Sequence, residues 1–371
     1  MNSACPHPTT RERLLSVHLD IPPTLLPTDG RFGSGPAKVR REALESLLTR
    51  ADIMGTSHRQ APVRGVVREL QEGLSDLYRL PQGYEVALGN GGATTFWDVA
   101  VFSLIQKRSA HGVFGEFTRK FSRASAAAPF LDAPEVFEAP AGSVALPEAC
   151  DADAFCWAQN ETSTGAAAPV TRVGDGLVLV DATSAAGGID ADVSQTDAYY
   201  FAPQKNFSSD GGLWFAFLSP AALERAESIK AGGRWIPESL DLTLAIKNSR
   251  QHQTLNTPAI ATLLLMADQV RWMQSLGGME AVAARCATSS ALLYDWAAER
   301  DWATPFVANP EDRSPVVATI DLDEKVDAKE VSAILRHNGI VDVDPYRALN
   351  RNQLRIGCYA SVDPSDVEAL I

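Results

Sequence analysis

The run Leu177-Val178-Leu179-Val180-Asp181, continued by Ala182-Thr183-Ser184, decides how this chain folds. Four consecutive apolar residues before a carboxylate read as a buried strand with Asp181 at its carboxyl end. In open α/β sheets that edge is where ligands bind. Taken alone, Asp181 is equally well a cap for the turn that Thr183, Ser184, Gly187 and Gly188 would make. The next apolar run, residues 197–201, leads into Ala202-Pro203-Gln204-Lys205-Asn206-Phe207, which puts Lys205 24 residues beyond Asp181. A lysine after a buried strand is usually a solvated one. That separation, however, is about one strand–connection–strand unit, so side chains from consecutive strand ends can reach one crevice.

A strand-end aspartate followed by a loop lysine is what pyridoxal phosphate requires. The lysine holds the aldehyde as a Schiff base, and the aspartate keeps the pyridine nitrogen protonated so that the ring accepts electrons. The phosphate needs backbone N–H groups and a helix N-terminus. Gly91-Gly92-Ala93-Thr94-Thr95 lies between an expected strand (residues 85–88) and an expected helix (95–106), and its small residues allow close approach. A glycine pair on its own marks no more than a turn.

Outward from this centre the pattern is that of a mostly parallel sheet with crossovers. Residues 155–158, 198–201 and 213–218 are further short apolar runs suited to buried strands. Val63, Val66, Val67, Leu70, Leu74 and Leu77, after Pro62, fall at helical spacing and make one apolar face. Residues 38–48 read as a helix entered from the Gly33-Ser34-Gly35-Pro36 loop, and 258–276 as a long helix stopped by Gly277-Gly278. Beyond it the pattern changes to a helix (280–299), a strand (316–322), a helix (328–337), two strands (340–343 and 354–359) and a short last helix. The expected organisation is a large domain at 30–276 and a smaller α+β domain at 277–371, which the N-terminal segment 1–29 would join.

The chain has 371 residues and a formal net charge of −13, with 45% hydrophobic residues and 21% charged ones. That composition is globular. The acidic balance argues against nucleic acid as a partner, and any anionic substrate must be held by a local cationic pocket. The cysteines Cys5, Cys150, Cys156, Cys286 and Cys358 are scattered and fit no common zinc spacing, so neither a metal site nor an oxidising compartment is expected. The polar N-terminal stretch lacks the layout of a secretory signal, and no apolar run suits a membrane span, so a cytoplasmic location is expected.

Seven segments, in order, resemble the phosphoserine aminotransferases, which are fold-type-I pyridoxal-phosphate enzymes of class V: Gly33-Ser34-Gly35-Pro36, Gly55-Thr56-Ser57-His58-Arg59, Asn90-Gly91-Gly92-Ala93-Thr94, Asn160-Glu161-Thr162, Asp181-Ala182-Thr183-Ser184, Gln204-Lys205-Asn206 and Asn256-Thr257-Pro258. The resemblance implies a seven-stranded, mostly parallel sheet between helices plus a smaller α+β domain. It implies that Lys205 is the Schiff-base lysine and Asp181 the pyridinium partner. Gly92, Ala93, Thr94 and Gln204 would hold the phosphate, Thr162 would bond the ring hydroxyl, and Ser184 would lie close to the ring. Asn256 and Thr257 would reach the phosphate from a neighbouring subunit of a homodimer with shared active sites. Phe117 stands where the family often has a ring-stacking tryptophan.

Arg355 matches the arginine that grips the α-carboxylate, and His58 and Arg59 match the pair that holds a distal phosphate or carboxylate across the dimer. Ala93 stands where some members carry a substrate-binding arginine; Arg347 or Arg351 could supply that charge. The implied reaction is transamination between L-glutamate and 3-phosphohydroxypyruvate, giving O-phospho-L-serine and 2-oxoglutarate in serine biosynthesis. The resemblance also admits the analogous phosphorylated four-carbon substrate of pyridoxine synthesis. A serine–glyoxylate or alanine–glyoxylate type of aminotransferase is the alternative, which would have no need of His58-Arg59 as a phosphate clamp.

Overall fold

A computed structural model describes residues 19–371. Its main sheet has seven strands: β1 (Glu85–Asn90), β2 (Ser109–Val113), β3 (Glu135–Glu138), β4 (Ala154–Ala158), β7 (Leu177–Asp181), β8 (Ala198–Phe201) and β9 (Leu213–Leu218). Between β4 and β7 the chain makes a small separate pair, β5 (Asn160–Glu161) with β6 (Ala166–Ala167). The spatial order is β1-β9-β8-β7-β4-β2-β3. The five strands from β8 to β3 run parallel, and β9 is antiparallel to both β8 and β1.

The strands at the centre are apolar throughout because both faces are covered. Val178 and Val180 of β7 enter one core cluster, and Leu177 and Leu179 enter the other. This is the two-residue alternation of a strand buried on both sides. Helices α1 (Arg41–Thr49) and α2 (Ala61–Leu77) are followed by α3 (Ala93–Ser103), α4 (Glu116–Ala127), α5 (Pro220–Ala231), α6 (Leu242–Ser249) and α7 (Ile260–Ser275). One cluster holds α2 and α7 with Tyr199, Phe201, Phe215 and Phe217; the other holds α3 with Tyr200, Trp214 and residues of α5 and α6. The expected face of α2 is the buried one: Val63, Val66, Val67, Leu70, Leu74 and Leu77.

After α7 come α8 (Met279–Ala298), β10 (Ala303–Pro305), β11 (Val317–Leu322), α9 (Ala328–His337), β12 (Gln353–Gly357) and α10 (Pro364–Leu370). The three strands form an antiparallel sheet with its own apolar cluster, which Phe32 joins from the other end of the chain. Phe32 is tied there by its N–H to Val341 O (3.3 Å) and by Gly357 N–H to its carbonyl (2.8 Å). The segment after Phe32 is thereby led across to the main sheet.

One expected strand is absent. Residues 340–343 contribute only an isolated bridge from Val341 to Arg31. Asp342 has a φ of 66°, which takes the chain out of the extended region and ends any ladder. Strands β2, β3 and β10 and helices α4 to α6 were not among the elements expected from the sequence.

Leu70 is fully buried between α2 and the sheet. Leu70→Ala should lower the unfolding free energy by about 3 kcal/mol. Urea unfolding followed by circular dichroism checks this, with the midpoint falling and the slope unchanged.

Candidate active site

Strands β4, β7 and β8 end almost level, with Ala158 paired to Asp181 and Asp181 to Tyr200. The register sets Asp181 at the sheet's carboxyl edge, where its Oδ1 accepts the Thr183 backbone N–H at 2.9 Å. Its Oδ2 accepts the indole N–H of Trp97, also at 2.9 Å. Burial pushes the acid above its ordinary range, while these donors and Lys205 pull the other way.

Beyond β8 the chain turns through Ala202–Gln204, and Lys205 extends into the cavity that Asp181 lines. Its Nζ donates to Ser34 O at 2.6 Å, an oxygen that also accepts the Tyr359 hydroxyl at 2.7 Å. Burial, then the nearby Arg355 guanidinium, lower the Lys205 ammonium to about 7, against the opposing pull of Asp181 and Glu161. Half of such amines are neutral near pH 7, and only the neutral form is a nucleophile or a base. Gly35 makes room for the amine. A Cβ there would lie 2.0 Å from Nζ, on a backbone whose φ is +143°.

The third component is the N-terminus of α3. Gly91 has a φ of +120°, and a Cβ on it would meet Thr95 Oγ1 at 2.3 Å. Gly92, Ala93 and Thr94 line the cavity with the first turn of the helix. A Cβ on Gly92 would meet nothing within 4 Å, so open space faces the helix end. Free N–H groups and the positive end of the helix dipole suit an anion there.

Phe117 reaches the same cavity from the first turn of α4. Its position depends on Glu161, a buried carboxylate that accepts the N–H groups of Phe117 (3.0 Å) and Thr118 (3.0 Å) and the hydroxyl of Ser163 (2.7 Å). In the Asn160-Glu161-Thr162 segment, therefore, Glu161 fastens α4 while its two neighbours line the cavity.

The cavity has a volume of about 330 Å³. It brings together Gly92, Ala93, Thr94, Phe117, Thr162, Asp181, Ser184, Gln204 and Lys205, all expected from the sequence. It also takes in Gly35, Pro36, Trp97, Ala158, Asn160 and Thr183, to which no role was assigned. Asn160 and Ala158 follow from the strand-end rule applied to β4. Nothing local marks Trp97. Among the lining residues, buried polar atoms lack partners at Asn160 Oδ1, Thr183 Oγ1 and Gln204 Oε1. Buried polar atoms left without a partner are costly, and three around one cavity indicate a polar guest.

The remaining expected residues lie outside that lining. Arg355 is half-buried behind it, donating from Nη1 to Thr162 O at 3.2 Å with its Nε unpartnered. Arg347 is exposed. Arg351 is held by Asp321 in an ion pair and lies over the Phe306 ring. Arg59 donates to Gln253 Oε1 (2.8 Å) and Leu255 O (3.4 Å), which brings His58 and Arg59 beside the loop of Asn256 and Thr257. Arg59, Asn256 and Thr257 are exposed there, while His58 is half-buried with its Nε2 unpartnered.

The profile of the class-V aminotransferases matches residues 149–343. A phosphoserine aminotransferase of Nocardioides sp. is 55% identical over 359 residues, covering 95% of this chain and 96% of that one. The chain belongs to the phosphoserine aminotransferase family.

Solved structures share the fold. A phosphoserine aminotransferase from Cytophaga hutchinsonii superposes with a TM-score of 0.85 at 22% identity, over 92% of this chain and 97% of that one. A pyridoxal-phosphate-bound one from Trichomonas vaginalis gives 0.80 at 19% identity, over 92% and 98%. Pyridoxal phosphate is the cofactor of this family of enzymes. The residues present fit it: a poised amine, a carboxylate, an anion-receptive helix end and three unpartnered polar atoms surround one cavity.

Two expectations follow. In the cofactor-free protein, reductive trapping of an aldehyde on Lys205 should rise through about pH 7 and level off. Ordinary lysines keep gaining reactivity up to their own range near 10.4. Peptide mapping across a pH series reads this. Gly35→Ala should displace the amine and lower cofactor retention at least about tenfold, measured by dialysis of the reconstituted protein.

Proposed function

We propose that this protein is a phosphoserine:2-oxoglutarate aminotransferase, exchanging the amino group between L-glutamate and 3-phosphohydroxypyruvate to give O-phospho-L-serine and 2-oxoglutarate. The observation that carries the reading is the shared cavity of Lys205, Asp181 and the α3 N-terminus, in a chain more than half identical to a phosphoserine aminotransferase. Pyridoxal phosphate supplies an aldehyde that condenses with amines and a ring that accepts the electron pair left on the substrate's α-carbon.

In this proposal Lys205 holds the aldehyde at rest. Once freed, its neutral Nζ would take the proton from the substrate's α-carbon and then, as the ammonium, give it back. An amine lowered to about 7 is suited to both duties. Asp181 accepts the ring N–H and favours the protonated ring. Backbone N–H groups of Gly92, Ala93 and Thr94, with Gln204, hold the phosphate, while Thr162 bonds the ring hydroxyl. Ser184, held by Asn160 Nδ2 (2.8 Å), would lie close to the ring, and Phe117 would stack on it.

Arg355 grips the α-carboxylate with a guanidinium that burial has partly stripped of water. Its Nε has no partner to give up. The distal anion would be held by His58 and Arg59, and the phosphate completed by Asn256 and Thr257, of a second copy in a homodimer. The exposure of Arg59, Asn256 and Thr257 side by side, with an unpartnered His58 Nε2 next to them, supports a role beyond the chain's own cavity. Residues 277–371 with residues 19–29 would form the smaller domain, and residues 1–18 of the expected N-terminal segment lie outside the described residues. Cytoplasmic serine biosynthesis is the setting we infer, with pyridoxine synthesis as a further use of the same site.

Mixing the cofactor-loaded protein with phosphoserine should abolish the visible band of the bound aldehyde in a single turnover. A band that responds to alanine and not to phosphoserine would overturn the assignment. Lys205→Ala should abolish turnover with circular dichroism unchanged. Arg59→Ala should raise the KM for phosphoserine by about tenfold or more with cofactor retention preserved; equal loss of both would make Arg59 structural.

A further inference from the structure

Trp97 lines the cavity with its one polar atom already committed to Asp181. It lies in the second turn of α3, is almost wholly buried, and aims its indole N–H at Asp181 Oδ2 from 2.9 Å. The ring is held parallel to that of Phe121 from α4, with centroids 6.1 Å apart. An indole is a donor only. It can bond an ionised carboxylate oxygen but cannot accept from a protonated one. With the Thr183 N–H on Oδ1, each oxygen of Asp181 has one donor fixed by the protein.

Resting on the cofactor reading above, we propose that Trp97 is a positioning residue. Its N–H holds Asp181 as an ionised, oriented acceptor for the ring nitrogen of pyridoxal phosphate. Helix α3 then serves both ends of the cofactor. Its first turn faces the phosphate, and one turn later Trp97 acts on the ring nitrogen through Asp181. Because a helix rises by about 1.5 Å per residue and does not stretch, the two ends are set by one rigid element.

The consequence is a proton's location. A buried carboxylate without its donors takes up protons more readily. With Trp97 removed, the proton shared by Asp181 and the ring nitrogen moves toward Asp181, and the ring becomes a poorer electron acceptor. The effect operates only where a ring nitrogen exists, which separates it from packing.

The test uses the full chain stripped of cofactor and reloaded with either pyridoxal phosphate or an analogue whose ring nitrogen is replaced by C–H. For Trp97→Phe, affinity for pyridoxal phosphate should fall about tenfold, the loss expected for one hydrogen bond to a charged group. Affinity for the analogue should be unchanged or improved. Trp97→His, which restores an N–H donor, should recover part of the loss. Trp97→Phe added to Asp181→Asn should cost no more than Asp181→Asn alone. In turnover, kcat should fall with the KM for phosphoserine within about twofold. Equal losses for both cofactors, or none for either, would overturn the proposal and reduce Trp97 to a core side chain. Should the unaltered chain bind neither cofactor, the cofactor reading fails, and the role of Trp97 fails with it.

Discussion

The alignment of three parallel strand ends is the constraint on which the site depends. Asp181 faces Ala158 on β4 and Tyr200 on β8, so one residue of slip in either pairing would turn its carboxylate to the other side of the sheet. Such slips are prevented by the cores on both faces, which alternate residues of β7 must fill. Lys205, in turn, can reach the cavity because β8 stops at Phe201 and the loop beyond it folds back over the edge. That loop is secured by Asn206, whose side chain donates to Ser184 O (2.9 Å) and accepts from Ala360 N (3.2 Å). Gly188 has to be glycine beside it, since a Cβ would lie 2.4 Å from Asn206 Oδ1.

Electrostatics then act within that frame. The chain carries a net charge of −13, and a cavity for anionic substrates in such a molecule must be charged locally. The means are a helix terminus, a lysine lowered toward neutrality and an arginine half withdrawn from water. Arg355 does two things at once: it offers unused hydrogen-bonding capacity, and its charge helps lower the amine of Lys205. A chain with a neutral residue there would lose both.

Where the fold was legible in the sequence, burial on both faces was the reason. β7, β8, β9 and the inner face of α2 show it as uninterrupted apolar runs or strict helical spacing. β2 could not be read this way. Its Ser109-Ala110-His111-Gly112-Val113 interrupts the apolar run with two polar residues, yet is wholly buried, with His111 Nε2 in contact with the hydroxyls of Ser109 (2.9 Å) and Ser125 (3.1 Å). Burial also lowers that imidazole to about 3, so it stays neutral. The satisfaction of β2 comes from a residue on α4, and no local pattern encodes it. The site divides similarly. Asp181, Lys205 and Gly91-Gly92 are strand-end and turn positions and could be read, whereas Trp97 and Gly35 matter through contacts with residues 84 and 170 positions away.

The cations decide how much of the site one chain can supply. Arg355 stands behind the cavity, Arg351 is committed to Asp321, and Arg347 sits in the solvent. A substrate with two anionic ends needs two clamps, and Ala93 offers none. Arg59 has the right chemistry but is exposed beside Asn256 and Thr257, joined to that loop through Gln253 and Leu255, and its neighbour His58 is half-buried with its Nε2 unpartnered. The loop itself is anchored to Asn90, whose side chain bonds Thr257 O (3.1 Å) and Asn256 N (3.3 Å). Asn90 directly precedes the glycine pair of the helix end. The outward patch is therefore fastened to the backbone that forms the anion-receptive turn, and an arrangement in which two copies exchange these patches would couple the phosphate site of each to the cations of the other.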